Sequence, residues 1–173
     1  AFLGIVGDKI EREKILQILN SAQVSPNQKI TADMLDILVK ASTKKLNTVR
    51  STSTGRVLDS VAVALDICSE NSYDGECPMK LEAVARDSAI RLEREFISSS
   101  YGQVLDTTHL LLQIIELRER RISRSELAYA AQQSIGQGLA EIACDVAKDE
   151  GVLHVGFSGG VALNRIITKS ITN

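Results

Sequence analysis

Apolar residues recur every three to four positions along most of the chain, a spacing that places them on one face of a helix. The pattern predicts helices over about 8–20, 31–43, 57–67, 78–96, 110–119 and 124–150. Residues 152–157 instead form a short, mainly apolar run, which predicts one buried β-strand with His154 pointing outward. Because a single strand cannot form a sheet, further strands must come from weaker segments, from outside this sequence or from a partner subunit. The predicted fold class is mainly α with a small β component.

A loop rich in hydroxyl groups, Ser51-Thr52-Ser53-Thr54, precedes Gly55 and the helix over 57–67. Asp59 falls in the predicted first turn of that helix. On these residues alone, the favoured interpretation is a Ser/Thr cap with a carboxylate that stabilises the helix dipole. The functional alternative is that the loop and Asp59 hold a ribose or another hydroxylated ligand. The buried stripe of this helix is predicted to be Val57, Leu58, Val61, Ala62 and Leu65.

The predicted strand runs directly into Ser158, Gly159 and Gly160, and a second helical pattern follows. Two glycines remove the Cβ atoms that would hold a ligand away from the backbone. Ser158 is a predicted N-cap, and the free N–H groups of the next turn suit a phosphate. Asn164 could offer a donor and an acceptor to a base edge. A glycine-rich packing turn explains the same residues equally well.

Composition limits the class of partner. The chain has 173 residues, enough for one sizeable domain. Its net charge of -2, its 3% aromatic residues and its lack of Trp give no case for nucleic acid or an anionic membrane. No apolar run approaches the roughly 18–20 residues that a membrane helix needs. The expected location is the cytoplasm.

Three cysteines, Cys68, Cys77 and Cys144, show no Cys-x-x-Cys spacing. This pattern argues against a disulfide framework and a zinc site, and favours reduced thiols. Cys144 lies on an apolar helical face and is expected in the core. Gly136 and Gly138 inside a predicted helix cost about 1 kcal/mol each relative to Ala, which indicates close packing against another element or a ligand.

Three blocks together carry a family resemblance: TSTGRVLDSVA over 52–62, YDGECPMKLE over 73–82 and GFSGGVALNR over 156–165. In this order and spacing they resemble the C-terminal half of the HypF carbamoyltransferases of [NiFe]-hydrogenase maturation, with the pattern TSSxGRLFDAVAALLG, YEGEAAMxLE and LSGGVFQNRLL. The likeness covers about 46–168. It divides the chain into a helical segment over 1–50 with no matched motif and a nucleotide-binding lobe over 51–173, within one compact domain.

The resemblance implies the C-terminal lobe of an actin/hexokinase-like (ASKHA) α/β fold, shared with TsaD enzymes. The implied chemistry joins carbamoyl phosphate and ATP into carbamoyl-adenylate and passes the carbamoyl group to a cysteine of a HypE-type acceptor. By the same resemblance, Gly55 allows close approach and Asp59 binds the ribose hydroxyls. Gly159 and Gly160 lie against the phosphate or adenine, and Asn164 contacts the base.

The sequence departs from the family pattern at the metal. Such enzymes bind one through a His-x-x-x-His pair and a later Asp, whereas His109 and His154 lack that spacing. The family's Phe-His pair is replaced near Ala130-Ala131-Gln132. A metal, whether zinc, iron or magnesium, is therefore expected only in the complete enzyme. The sequence begins without Met and stops in or just after a helix, so we expect a piece of a larger protein that lacks catalytic activity by itself and dimerises through an exposed face.

Two alternatives stay open at this point. One is a TsaD-like tRNA threonylcarbamoyl transferase or a sugar-kinase-type relative, although TsaD would show Gly-Glu-x-x-x-Asp at the first site. The other is a non-catalytic nucleotide-binding or assembly module. Nucleotide binding by the chain distinguishes these classes.

Overall fold

The computed structural model describes residues 1–21, 29–49, 51–100 and 102–172. Within these ranges the chain is mainly helical, with one antiparallel hairpin and a short 3-10 turn at Gly160–Leu163. In chain order the elements are α1 (Phe2–Val6), α2 (Arg12–Ser21), α3 (Ala32–Thr43), α4 (Thr54–Ala64), α5 (Glu76–Val84), β1 (Phe96–Ser99), β2 (Gly102–Leu105), α6 (Thr107–Glu119), α7 (Arg124–Asp149) and α8 (Arg165–Thr172).

Helix α4 lies at the centre of the core and contacts α1, α2, α5, α6 and α7. The predicted apolar stripe is confirmed, because Leu58, Val61, Ala62 and Leu65 are buried and Val57 is half-buried. The helix begins three residues earlier than predicted. Asp59 is therefore its sixth residue, in the second turn rather than the first.

Two helix starts differ in how they are capped. The Thr31 hydroxyl caps α3 by accepting a hydrogen bond from the Met34 N–H at 3.3 Å. On α3, Leu35 is buried, whereas Met34 and Leu38 are exposed. Residues 123–126 have the Ser-x-x-Glu pattern of a capping box, but the Ser123 hydroxyl lies 2.8 Å from the Ser125 hydroxyl instead of capping α7.

The helix predicted over 78–96 is wrong in its second half. Helix α5 begins at Glu76 and ends at Val84, and a hairpin follows in which Phe96 pairs with Leu105 and Ser99 with Gly102. Gly102, the first residue of β2, has a φ of 99°, a conformation that glycine adopts without strain. The charged residues before the hairpin have high helix propensity, but hydrogen bonds to distant residues hold them outside a helix. The Arg86 N–H donates to the Ser125 carbonyl at 3.0 Å, and the Glu93 N–H donates to the Gln113 side chain at 2.9 Å.

Close packing accounts for two glycines in α7, as the sequence predicted. A Cβ built on Gly136 would lie 2.7 Å from the Ser170 Cβ in α8, and one on Gly138 would lie 3.0 Å from a Leu105 methyl in β2. The glycines therefore let α8 and the hairpin lie directly against α7.

The strand predicted over 152–157 is not formed. Leu153 is 92% exposed, and within the described part of the chain no hydrogen bond involves residues 153–158. The reason is that a strand needs a neighbour, and the paired strands of the described residues, β1 and β2, pair with each other.

The expected state of the cysteines is also wrong. Cys68 and Cys77 form a disulfide with a Cα–Cα distance of 5.3 Å, and Cys144 is exposed rather than in the core. The loop between α4 and α5 turns back and brings the two cysteines together, which their sequence spacing does not reveal. In the part of the chain described, no helix combines the length and apolar character needed to cross a membrane.

Candidate functional site

Asp59 is held by two partners from its own chain. Its carboxylate lies 3.1 Å from the Arg56 guanidinium and accepts a hydrogen bond from Asn71 Nδ2 at 3.2 Å. The Asn71 side-chain oxygen accepts from the Cys77 N–H at 2.8 Å. Because the Asp59 side chain is only 12% exposed, these contacts fix its orientation and tie the second turn of α4 to the first turn of α5.

Glu76 organises the loop in front of α5. Its carboxylate accepts from the N–H and the hydroxyl of Ser72 at 2.6 and 2.7 Å, and lies 2.6 Å from the Lys80 Nζ. The Lys80 hydrogen bond, followed by those from Ser72, lowers the pKa of Glu76 to about 2. The preceding Gly75 has a φ of 83°, a conformation in which L side chains are strained. The loop is thus closed by an ionised carboxylate at neutral pH.

The second and third motif blocks meet at Glu82. One of its carboxylate oxygens accepts from the backbone N–H of Arg165 at 3.0 Å and from its Nε at 3.2 Å. Glu82 is six residues after Glu76 in α5, so about 9 Å of helix axis separates them. The Asp59 region and the glycine turn are therefore both anchored on α5, but towards opposite ends of it.

Asn164 is buried, with 7% of its surface exposed, and its amide is used inside the chain. Its Oδ1 accepts from the Ile167 N–H at 2.9 Å, which caps α8. Its Nδ2 donates to the side-chain oxygen of Gln132 at 2.6 Å. Asn164, rather than the predicted Ser158, thus caps α8, the α-helix that follows the glycine turn. One N–H of its amide is left for any base.

The glycines of the predicted site differ in what they need from the fold. Gly159 has a φ of 97° and requires glycine for its backbone. Among the described residues, a Cβ on Gly55 would meet only the Ser53 Oγ at 3.5 Å, an ordinary contact, and one on Gly160 would meet nothing within 4 Å. Packing against those residues therefore does not require glycine at 55 or 160.

Two cavities of about 340 and 590 Å³ lie along α7, next to the hairpin and α8. They share Ala140, Glu141 and Cys144, and neither is lined by Gly55, Asp59, Gly159, Gly160 or Asn164. Across the described ranges, no three His, Cys, Asp or Glu side chains cluster closely enough to hold a metal ion.

The structure adds contacts for five residues to which the sequence assigned no role: Arg56, Glu76, Glu82, Gln132 and Arg165. Four of them lie inside the motif blocks, so a test for charged residues within those blocks would have found them. The signal for Gln132 is a polar residue at a position that the helical period places in the core.

Residues 9–173 match the family described as "Carbamoyltransferase, Kae1-like Domain, second subdomain". Over 132 residues the chain is 39% identical to the probable carbamoyltransferase HypF of Methanocaldococcus jannaschii, which covers 75% of this chain and 17% of the relative. It is 29% identical over 139 residues to the carbamoyltransferase HypF of Rhodobacter capsulatus, covering 80% and 18%. A HypF homologue of Cupriavidus necator is 28% identical over 134 residues, covering 74% and 34%. The chain thus spans roughly a sixth to a third of these relatives.

Solved HypF structures share the fold. A full-length HypF described in its phosphate- and nucleotide-bound form superposes with a TM-score of 0.80 at 24% identity, covering 98% of this chain and 25% of that protein. The T. kodakarensis HypF gives a TM-score of 0.76 at 30% identity, covering 96% and 22%. These likenesses confirm the predicted fold class. The chain belongs to the HypF carbamoyltransferase family, and its match is to the second subdomain of the Kae1-like domain.

Proposed function

We propose that this chain is the nucleotide-holding part of a HypF-type carbamoyltransferase. The whole enzyme would form carbamoyl-adenylate from carbamoyl phosphate and ATP and pass the carbamoyl group to a cysteine of a HypE-type acceptor in hydrogenase maturation. These substrates, the acceptor and a cytoplasmic location belong to the proposal, because the chain spans only part of its relatives. The task assigned to this chain is to hold the adenylate.

The observation that carries the proposal is that packing among the described residues does not require glycine at position 55 or at position 160. Gly55 lies in the first turn of α4, where Ala would favour the helix by up to about 1 kcal/mol. The chain has room for a Cβ there and at Gly160. A ligand that lies against the backbone explains both, because a side chain at either position would occupy its place.

Charges around Asp59 fit the ribose and phosphate of an adenylate. Among the described residues each Asp59 oxygen has one partner, which leaves lone pairs for ribose hydroxyls. The Arg56 side chain is half-exposed and lies near the carboxylates of Asp59 and Asp74 at 3.1 and 3.8 Å. Its remaining N–H donors suit a phosphate oxygen.

The glycine turn fits the other end of the ligand. Gly159 and Gly160 are exposed, and they form the cap and the first residue of the 3-10 turn, so their amides are accessible to a phosphate or an adenine edge. Asn164 would contact the base through its one unused N–H. A HypF of the same fold is described with phosphate and nucleotide bound, which supports a ligand of this class. Any metal would be held by other parts of the enzyme.

The test is nucleotide affinity in variants that leave the fold intact. Gly55→Ala and Gly160→Ala are expected to weaken the binding of AMP and ATP at least tenfold in calorimetry, while the melting temperature stays constant or rises. Gly4→Ala is the matched control, because a Cβ on Gly4 in α1 also meets nothing within 4 Å. It should leave affinity unchanged. Undetectable nucleotide binding by the unaltered chain, or unchanged affinity in both site variants, would refute the proposal.

A further inference from the structure

Gln132 is a fully buried amide in the middle of α7 and joins three elements. Its Nε2 donates to the Ala128 carbonyl at 2.8 Å in α7 and lies 3.5 Å from the Leu81 carbonyl in α5. Its side-chain oxygen accepts from Asn164 Nδ2 at 2.6 Å. Both ends of the amide are therefore used, as burial of a polar group requires.

These contacts select one orientation of the Asn164 amide. With Nδ2 towards Gln132, the Oδ1 atom points at the Ile167 N–H and caps α8. The flipped amide would place two oxygens together at Gln132 and two donors together at Ile167. Gln132 thus fixes the orientation of the Asn164 side-chain amide, although the two residues are 32 positions apart in the sequence.

The backbone around Asn164 extends this control to the glycine turn. The Asn164 N–H donates to the Val161 carbonyl at 3.0 Å, and the Ala162 N–H donates to the Gly159 carbonyl at 3.0 Å. The Thr168 hydroxyl in α8 donates to the Ala162 carbonyl at 2.8 Å. The direction of the Gly159 and Gly160 amides therefore depends on where Asn164 and the start of α8 are held.

We infer that Gln132 is a positioning residue for the glycine turn: it orients Asn164 and so sets the amides that would face the nucleotide. The inference rests on the proposed function of that turn. A purely structural Gln132 would affect stability alone. A positioning Gln132 changes the turn and its affinity in protein that remains folded, and a side chain with an acceptor in the same place restores both.

The experiment compares Gln132→Met, which keeps the length but loses the acceptor, with Gln132→His, which keeps one when neutral. Gln133→Met is the matched control on the neighbouring residue. Calorimetry gives the AMP affinity, and NMR without nucleotide gives the exchange rates of the Ala162, Asn164 and Ile167 amides, which the hydrogen bonds of the turn and of the α8 cap protect. We expect Gln132→Met to bind at least tenfold more weakly and to exchange these amides at least tenfold faster, with the control unchanged.

Gln132→His tests whether a different side chain with an acceptor restores the turn. At pH 8 its AMP affinity should lie within threefold of that of the unaltered chain, because a neutral imidazole keeps an acceptor for Asn164. Burial at this position favours the neutral form of the imidazole. This comparison also applies if Gln132→Met does not fold. Unchanged turn exchange in Gln132→Met, or a folded Gln132→His protein that binds AMP at least tenfold more weakly than the unaltered chain at pH 8, would overturn the inference. If the unaltered chain does not bind nucleotide, the proposed function is refuted. The amide exchange rates would then still show whether Gln132 positions the glycine turn.

Discussion

Replacing Gly136 by Ala tests how tightly α8 is seated on α7. The new Cβ would lie 2.7 Å from the Ser170 Cβ, 2.8 Å from the Ile167 carbonyl oxygen and 3.2 Å from the Ile167 Cα. Carbon atoms in contact favour about 3.5–4.0 Å, so α8 must move by roughly 1 Å to accept it. Two of the three atoms belong to the backbone, which cannot rotate away as the end of a side chain can.

Two opposing effects set the magnitude. Ala in place of Gly favours the helix by up to about 1 kcal/mol. Overpacking of a well-packed interface costs about 1–3 kcal/mol. We therefore expect Gly136→Ala to lower the free energy of unfolding by about 1–2 kcal/mol. In a protein of this size, that corresponds to a fall of roughly 2–8 °C in melting temperature.

Urea and thermal unfolding followed by circular dichroism measure this change. Gly138→Ala is the graded comparison, because its Cβ would meet the methyl groups of Leu105 at 3.0–3.1 Å and a side-chain rotation can relieve the contact. It should change stability by less than about 1 kcal/mol. Gly4→Ala, in open space, should be neutral or stabilising. A Gly136→Ala protein as stable as Gly4→Ala would refute the reasoning, since the close approach of α8 would then carry no energetic cost.

Two further predictions concern the loop between α4 and α5. The disulfide between Cys68 and Cys77 closes a short loop, so Cys68→Ser should lower the free energy of unfolding by about 2–3 kcal/mol. Cys144 is exposed and is not part of the disulfide, so Cys144→Ser should leave the free energy of unfolding unchanged. A melting temperature of the unaltered chain that does not respond to a reducing agent would contradict this. Glu76 has a pKa of about 2 in the folded chain against 4.5 as its ordinary value, so its stabilising effect is complete above pH 4.5 and is lost as the pH falls towards 2. Glu76→Gln should therefore reduce the loss of the free energy of unfolding between pH 4.5 and pH 2. If that free energy falls equally steeply with pH in Glu76→Gln and in the unaltered chain, Glu76 is not the ionised group inferred from the structure.

The sequence predicts the parts of the fold that depend on local periodicity. The stripe of α4 is confirmed because a helix with apolar residues on one face has one way to bury them. The packing role of Gly136 and Gly138 is confirmed for a related reason. A glycine inside a strong helix is costly unless something lies against it.

The rest depends on contacts between distant residues, which periodicity does not record. The hairpin over 96–105 consists of two short strands that are stabilised by pairing with each other. The residues before it favour a helix, so the periodicity of the sequence does not reveal where the helix ends. The Cys68–Cys77 disulfide depends on the path of a loop. The motif blocks of the predicted site, which meet at Glu82, could be identified from the sequence. The hydrogen bond that occupies the Asn164 amide could not, because it depends on the buried position of Gln132 in the folded chain.

Within the part of the chain that the structure describes, the glycine turn is attached on one side. After Gly160 it is fastened by Asn164, Arg165 and Thr168, whereas the arm from residues 153 to 158 leads into it with exposed side chains and no hydrogen bond of its own. A ligand that closes over the turn must immobilise this arm, at an entropic cost on the order of 1 kcal/mol for each backbone residue fixed. An affinity measured on this chain therefore contains the cost of ordering the arm, and any neighbour that holds the arm in advance would tighten nucleotide binding without touching the nucleotide.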